Sequence, residues 1–208
     1  MATPTKSGFG RAKVRGARDH AAPVTATVKG QGQAQTFRIA GVQMASGPNV
    51  AANLNEAGRL IEAAVAQGAR LVALPEYFAI MGMRPTDKVK VREKDGDGPI
   101  QRFLSETARK HKIWLVGCSV PMAAPTEGKI YNSCQLYDDG GRMVARYDKI
   151  HLFSLDLGNE RFAEEGTIEA GKQVKVVDSP FGRIGLSVCY DLRFPELYRA
   201  MKDVDIIV

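Results

Sequence analysis

FRIAGVQMASGPNVAANLNEAGRLIEAAVAQGARLVALPE, residues 37–76, carries an apolar run, an amphipathic run and a second apolar run that ends in a carboxylate. FRIAGVQM, beginning at Phe37, has the length and composition of a buried strand. Leu54, Ala57, Leu60, Ile61, Ala64 and Val65 then fall on one face at helical spacing, and Gly68 stands where a C-terminal cap belongs. ARLVALP reads as a second buried strand, ending at Pro75.

The pattern continues toward the C-terminus. After an irregular stretch containing DGDGP, Pro99 opens a helix, PIQRFLSETARKHK, and IWLVGCSV follows as a third apolar strand. YNSCQLYD and RMVARYDK flank DDGG, a hairpin turn signal. The segment from His151 to Gly171 reads as a long loop, and loops of that length without their own secondary structure are often functional. KQVKVVD and RIGLSV form two more strands around the turn SPFG, a short helix begins near Phe194 and Pro195, and DVDIIV closes the chain as an apolar strand. Helices alternating with strands early, and antiparallel hairpins later, imply an α/β layered fold with a mixed sheet.

Residues 1–36 differ in kind. They are rich in Gly, Ala, Thr and Gln, lack hydrophobic periodicity, and are expected to form a disordered basic tail ahead of a folded domain at 37–208. The tail also holds most of the net charge of +6: six basic residues stand against Asp19 alone, leaving 23 basic and 22 acidic residues beyond it. A nearly neutral domain without an aromatic RNA-binding motif, zinc finger or basic recognition helix gives no support for nucleic-acid binding by the core. The tail itself reads either as a targeting or anion-binding arm or as a dispensable extension. The composition, 44% hydrophobic and 25% charged, is that of a soluble globular chain. No run approaches the ~18 to 20 apolar residues of a membrane span, and no signal-peptide-like stretch opens the sequence, so a cytoplasmic location is expected. Three cysteines, Cys118, Cys134 and Cys189, cannot all pair, and none has zinc-ligand spacing; free thiols in a reducing compartment are the simplest reading.

Three residues at strand ends have chemistry to offer. Cys189 follows RIGLSV and precedes the turn into the helix at Pro195, at the carboxyl end of a strand, where α/β sheets place ligands. The helix beyond it and Arg193 are expected to favour the thiolate. The alternative is a small buried hydrophobe, a description that suits Cys118 and Cys134 within their apolar strands. Glu76 closes LVALPE and is placed to act as a general base, or else is a solvated strand end. Lys149, in RYDKIHLF, is either an ammonium inside a site or a side chain reaching for water. Together the three supply a base, a nucleophile and an oxyanion stabiliser, the roles that hydrolysis of a carbon–nitrogen bond requires.

LPEYF with Glu76, YDKIHLF with Lys149 and SVCYDLRFPEL with Cys189 occur in the chain order of the Glu-Lys-Cys triad of the nitrilase superfamily, and the sequence resembles that family from Phe37 to Val208. RFAEE matches a fourth position, a second glutamate beside the site, assigned to Glu164 with Glu165 as the alternative. The resemblance implies a four-layer α-β-β-α sandwich, incomplete at its C-terminal end because family members continue past the position of Val208. It implies homodimers or larger homo-oligomers, and neither a metal nor an organic cofactor. It further implies attack by Cys189 on an amide carbonyl, Glu76 as base, and an oxyanion held by Lys149 and the backbone N–H of Tyr190.

GVQMASGPNVAANL, KIYNSCQLYD and CYDLRFPEL resemble the Nit branch of amidases, which act on small carboxylate-bearing amides. Within that branch deaminated glutathione is the preferred substrate. An ω-amidase reaction on α-ketoglutaramate and an N-carbamoyl hydrolase are the alternatives. Arg193 is the candidate to bind the substrate carboxylate, or else forms a structural salt bridge to Glu196 or Asp191, and Tyr77 or Tyr190 would shape the pocket. The rival of another class is a truncated, inactive chain whose basic tail binds a partner.

Overall fold

The computed structural model describes residues 22–28, 35–159 and 161–208. Its first two elements, β1 (Ala22–Val28) and β2 (Gln35–Gly41), pair antiparallel from Ala22 opposite Gly41 to Val28 opposite Gln35. Residues 22–28 therefore depart from the disorder expected of 1–36. APVTATV is dense in β-branched residues, which favour a strand once an edge is available to pair with, whereas its Gly- and Gln-rich flanks dominate the composition of the tail as a whole. Residues 1–21 and 29–34, with all six basic side chains of the tail, lie outside the described residues.

The helix expected after the first core strand is α1 (Val50–Ala66). It starts one turn ahead of its first apolar marker because the Asn49 side chain accepts a hydrogen bond from the N–H of Ala52 at 3.0 Å. It ends where Gly68, at φ +84°, donates its N–H to the Val65 carbonyl at 2.8 Å. After β3 (Ala69–Ala73) come the single turn α2 (Asp87–Lys90) and then α3 (Pro99–His111). The Glu93 carboxylate caps α3 by accepting from the N–H groups of Ile100 and Gln101 at 2.6 and 3.0 Å. β4 (Trp114–Ala123), β5 (Ile130–Tyr137) and β6 (Met143–Asp148) complete a six-stranded mixed sheet in the order β1-β2-β3-β4-β5-β6, with the β2/β3 and β3/β4 pairs parallel and the rest antiparallel.

The segment His151 to Gly171, expected to be a structureless loop, contains the hairpin β7 (Ser154–Asp156) and β8 (Arg161–Ala163) and a 3₁₀ turn, Glu164–Gly166. Three-residue strands on the surface leave too little alternation for a sequence pattern to register. A second sheet, ordered β11-β10-β9, is formed by β9 (Val176–Ser179), β10 (Gly182–Gly185) and β11 (Ile206–Ile207), with the 3₁₀ turn Cys189–Arg193 and α4 (Pro195–Met201) between the last two strands.

Two apolar layers hold this together. On one face of the large sheet Ala57, Leu60 and Ile61 of α1 and Ile100 and Leu104 of α3 pack on Val72, Leu115 and Val120. Each such fully buried aliphatic side chain contributes about 1.5–3 kcal/mol. α3 comes so close to β4 that any side chain at Gly117 would strike Leu104. On the other face Leu71, Val116, Leu136 and Tyr147 meet Ile184, Leu186 and Val188 from the small-sheet segment and Leu197 and Met201 from α4. The stack is thus helix, sheet, sheet, helix, the four layers expected. No helix among the described residues is long and apolar enough to cross a membrane.

Candidate active site

Glu76 is delivered by the end of β3. Leu74 still donates its N–H to Val116 across the sheet at 2.9 Å, then Pro75 and Tyr77, the latter at φ +59°, turn the chain out of it. Lys149 directly follows β6, held by its N–H to the Asn132 carbonyl at 3.0 Å. Cys189 comes four residues after β10, where the chain stays extended through Ser187, which donates its N–H to the Val208 carbonyl at 2.7 Å, and then enters the 3₁₀ turn at φ +48°.

Lys149 is wholly buried between two carboxylates. Its Nζ lies 3.2 Å from Glu76 Oε1 and 2.9 Å from Glu164 Oε2. Burial alone would lower the lysine pKa, but the charges of Glu76 and Glu164 outweigh it and the net direction is upward, so the ammonium is secured. Glu164, also buried, accepts in addition from the Tyr77 hydroxyl at 2.9 Å and the Phe153 N–H at 2.8 Å. The alternative at this position, Glu165, is exposed and faces Arg161 at 3.5 Å. Tyr77 is thereby engaged by its hydroxyl in orienting Glu164, and burial together with Glu76 and Glu164 pushes its pKa far up, keeping it a neutral donor.

The structure brings Glu76, Lys149, Glu164, Tyr77 and Cys189 together. Of these, Glu76 and Cys189 line a cavity of about 880 Å³ together with Leu74, Cys118, Leu192, Tyr198, Ile207 and Val208. The Tyr190 ring does not line it but packs edge-on against Phe153 and Phe194 at 5.1 and 5.4 Å, so this residue reaches the site only through its backbone. Arg193 is exposed and outside the cavity, and it forms neither salt bridge considered for it: Glu196 pairs with Arg199 at 2.6 Å and Asp191 with His151. Cys134 is a core residue as expected, whereas Cys118, opposite it across β4 and β5, is only partly buried and borders the cavity.

The expected thiolate at Cys189 is corrected. Although Cys189 opens onto solvent, partial burial of its thiol and the negative charge of Glu76 push its pKa up, against the pull of Lys149. Arg193 is too far out to compensate, and the short turn that Cys189 itself begins offers no long helix dipole. The thiol form of Cys189 is thereby favoured beside the Glu76 carboxylate. Alkylation of Cys189 by iodoacetamide is therefore expected to titrate with a midpoint above that of an ordinary cysteine, and Glu76→Gln to move the midpoint down by removing the opposing charge. An unchanged or higher midpoint in the variant would contradict this account of the site.

Three further residues were not singled out by the sequence. Asn132 donates its side-chain N–H to Glu76 Oε1 at 2.8 Å. Asp191, fully buried, accepts from the Val188 N–H at 2.9 Å, the Tyr147 hydroxyl at 2.7 Å and the His151 N–H at 3.1 Å. His151 Nδ1 lies 2.6 Å from the same carboxylate while its ring stacks on Phe194 at 3.7 Å. Asp191 thus fastens the segment carrying Lys149 to the turn carrying Cys189. Asp191 sits inside the motif SVCYDLRFPEL, which is the only sequence signal that could have pointed to it. Among the described residues no group of three or more His, Cys, Asp and Glu side chains is arranged to hold a metal ion.

The family model described as Carbon-nitrogen hydrolase matches residues 38–208. The chain belongs to the carbon-nitrogen hydrolase family. Among curated relatives, this carbon-nitrogen hydrolase chain is similar to the deaminated glutathione amidase of Synechocystis sp., 41% identical over 171 residues, covering 80% of this chain and 62% of that one. It is also similar to omega-amidase NIT2 of Danio rerio, 38% identical over 162 residues, covering 77% and 57%. Among solved structures, that of Saccharomyces cerevisiae Nit3, a member of the nitrilase superfamily, superimposes with a TM-score of 0.69 at 32% identity, over 79% of this chain and 59% of that one. The chain spans about half to six-tenths of the length of the curated relatives it matches.

Proposed function

We propose that the protein hydrolyses the carbon–nitrogen bond of a small carboxylate-bearing amide through a thioester on Cys189, with deaminated glutathione as substrate. The observation that carries this reading is the ammonium of Lys149 buried between Glu76 and Glu164 beside a cavity onto which Cys189 opens. Such a buried ion cluster is costly to assemble for stability alone. As catalytic machinery its parts each have a task.

Cys189 Sγ attacks the amide carbonyl carbon while Glu76 takes the thiol proton, a step suited to a thiol that is neutral at rest. The oxyanion that forms is stabilised by Lys149 and the Tyr190 N–H. Glu76 passes its proton to the nitrogen, the carbon–nitrogen bond breaks, and ammonia leaves. A water deprotonated by Glu76 then attacks the thioester, and cleavage of the carbon–sulfur bond returns the proton from Glu76 to Cys189. Glu164, fixed by Tyr77 and Phe153, holds Lys149 in place throughout.

The substrate assignment draws on some relatives named deaminated glutathione amidase, at 41% and 36% identity, and others named omega-amidase, at 36–38%; the 41% relative tips it toward deaminated glutathione. Ammonia release from deaminated glutathione and from α-ketoglutaramate separates the two. A kcat/KM roughly tenfold or more in favour of deaminated glutathione is expected, within the range that pocket fit provides. The reverse ranking would assign an ω-amidase, carbon dioxide appearing with ammonia from an N-carbamoyl substrate would assign a carbamoyl hydrolase, and no release by a folded protein would remove the amidase reading.

A further inference from the structure

Lys88 lies on α2 with its Nζ 5.2 Å from the centre of the Tyr77 ring, the same tyrosine whose hydroxyl donates to Glu164. It is half-buried, and among the described residues no carboxylate lies within ion-pair distance of it, whereas Lys90 on the same turn pairs with Asp87 at 2.8 Å. Burial pushes the Lys88 pKa down while Glu164 and then Glu76 hold it up, so the ammonium senses the two carboxylates of the site without touching them. Lys88 also borders a cavity of about 200 Å³ with Tyr77, Met81, Met83, Arg84 and Phe162, in which Met83 and Phe162 are exposed apolar surface.

A partly desolvated cation without a counter-ion is destabilising, and a cation–π contact offsets only part of that cost. The single ammonium of Lys149 is already shared between the carboxylates of Glu76 and Glu164, so that cluster has no cation to spare for the carboxylate of a substrate. We propose that Lys88 is the specificity-determining residue that receives the carboxylate of the substrate, from the small cavity beside Tyr77, while the amide end is held at Cys189. Lys88 takes over the role the sequence gave to Arg193. The inference rests on the amidase reading for the amide end only; the capture of a carboxylate is a binding event that can be read without turnover.

The competing role is structural: Lys88 as a strut that pins α2 onto Tyr77. Succinamate and its methyl ester, titrated calorimetrically into the full chain carrying Cys189→Ala, distinguish the two. The acid is expected to bind more tightly than the neutral ester, and adding Lys88→Met to weaken the acid by about 10- to 100-fold while leaving the ester within about twofold. Lys88→Arg, which keeps the charge, is expected to keep the preference for the acid. Equal weakening of acid and ester, an unchanged acid, or no measurable binding of the acid to the parent overturns the proposal. Failure of the unsubstituted protein to release ammonia while acid binding still depends on Lys88 would instead remove the amidase reading and leave the carboxylate site standing.

Discussion

Replacing Cys189 with Ala is expected to lower ammonia release by about 10⁴- to 10⁶-fold while leaving the unfolding midpoint in urea nearly unchanged, because removing a nucleophile from a set of groups that act together forfeits nearly all of their effect. The stability half of this prediction follows from position. Cys189 is solvent-exposed, at the head of a short turn rather than in either apolar layer, so the lost sulfur leaves no buried cavity. The turn itself is held by Asp191 through Val188, neither of which changes. The activity half follows from the absence of a substitute: Cys134 is fully buried, and Cys118, although it borders the same cavity, has its pKa pushed well up by the neighbouring Cys134 thiol and by burial. Ammonia release and urea denaturation of the two proteins side by side check both halves. A variant that remains active excludes Cys189 as nucleophile, and an inactive variant that is also unfolded leaves a structural role as the explanation.

Lys149→Met is expected to be damaging in both respects. The substitution removes the cation but leaves Glu76 and Glu164 facing one another from the same small volume, and an unpaired buried partner costs about 3–5 kcal/mol. Activity measured where the variant is still folded is expected to fall by a further 10²–10³-fold, the scale of a lost oxyanion donor. The pH dependence has a definite sign. A lysine whose folded pKa is raised above its unfolded value contributes stability that is fully present below the unfolded pKa, about 10.4, and is lost only as pH rises through the higher folded one. The part of the stability gap between wild type and Lys149→Met that the ammonium contributes is therefore expected to be lost only in alkali, above about pH 10.4. Glu76→Gln placed in the Lys149→Met background is expected to recover part of the stability but none of the activity, since it relieves the repulsion and removes the base. Urea melts and ammonia assays of the single and double variants read these effects, and a Lys149→Met protein as stable as wild type would show that the two carboxylates are not held together by that ammonium.

What the sequence revealed and what it concealed follow from how local each signal is. Glu76, Lys149 and Cys189 were legible because each stands where a strand pattern runs out and sits in a short motif, and α1 because its buried residues repeat every three or four positions along one face. Glu164 could be preferred over Glu165 only by motif, and burial of one and exposure of the other is a property of the 3₁₀ turn that no periodicity announces. Asn132 and Asp191 act through partners 56 and up to 44 positions away, so no local periodicity reveals their use, and for Asp191 only its place in SVCYDLRFPEL hints at it. Lys88 reads as one lysine among several in TDKVKVREK until the fold lays it over Tyr77. The strand at 22–28 was hidden for a related reason: it depends on an edge supplied by β2, whereas composition averages over the whole tail.

The proposed reaction turns on a covalent bond to one sulfur, and mass spectrometry of protein quenched in acid during turnover of deaminated glutathione reads that bond directly. An adduct equal to the substrate less ammonia is expected on the peptide containing Cys189, absent from Cys118 and Cys134 and absent from the Cys189→Ala protein. Ammonia released by a protein whose Cys189 never carries the acyl group, or an adduct that persists when Cys189 is replaced, would contradict it.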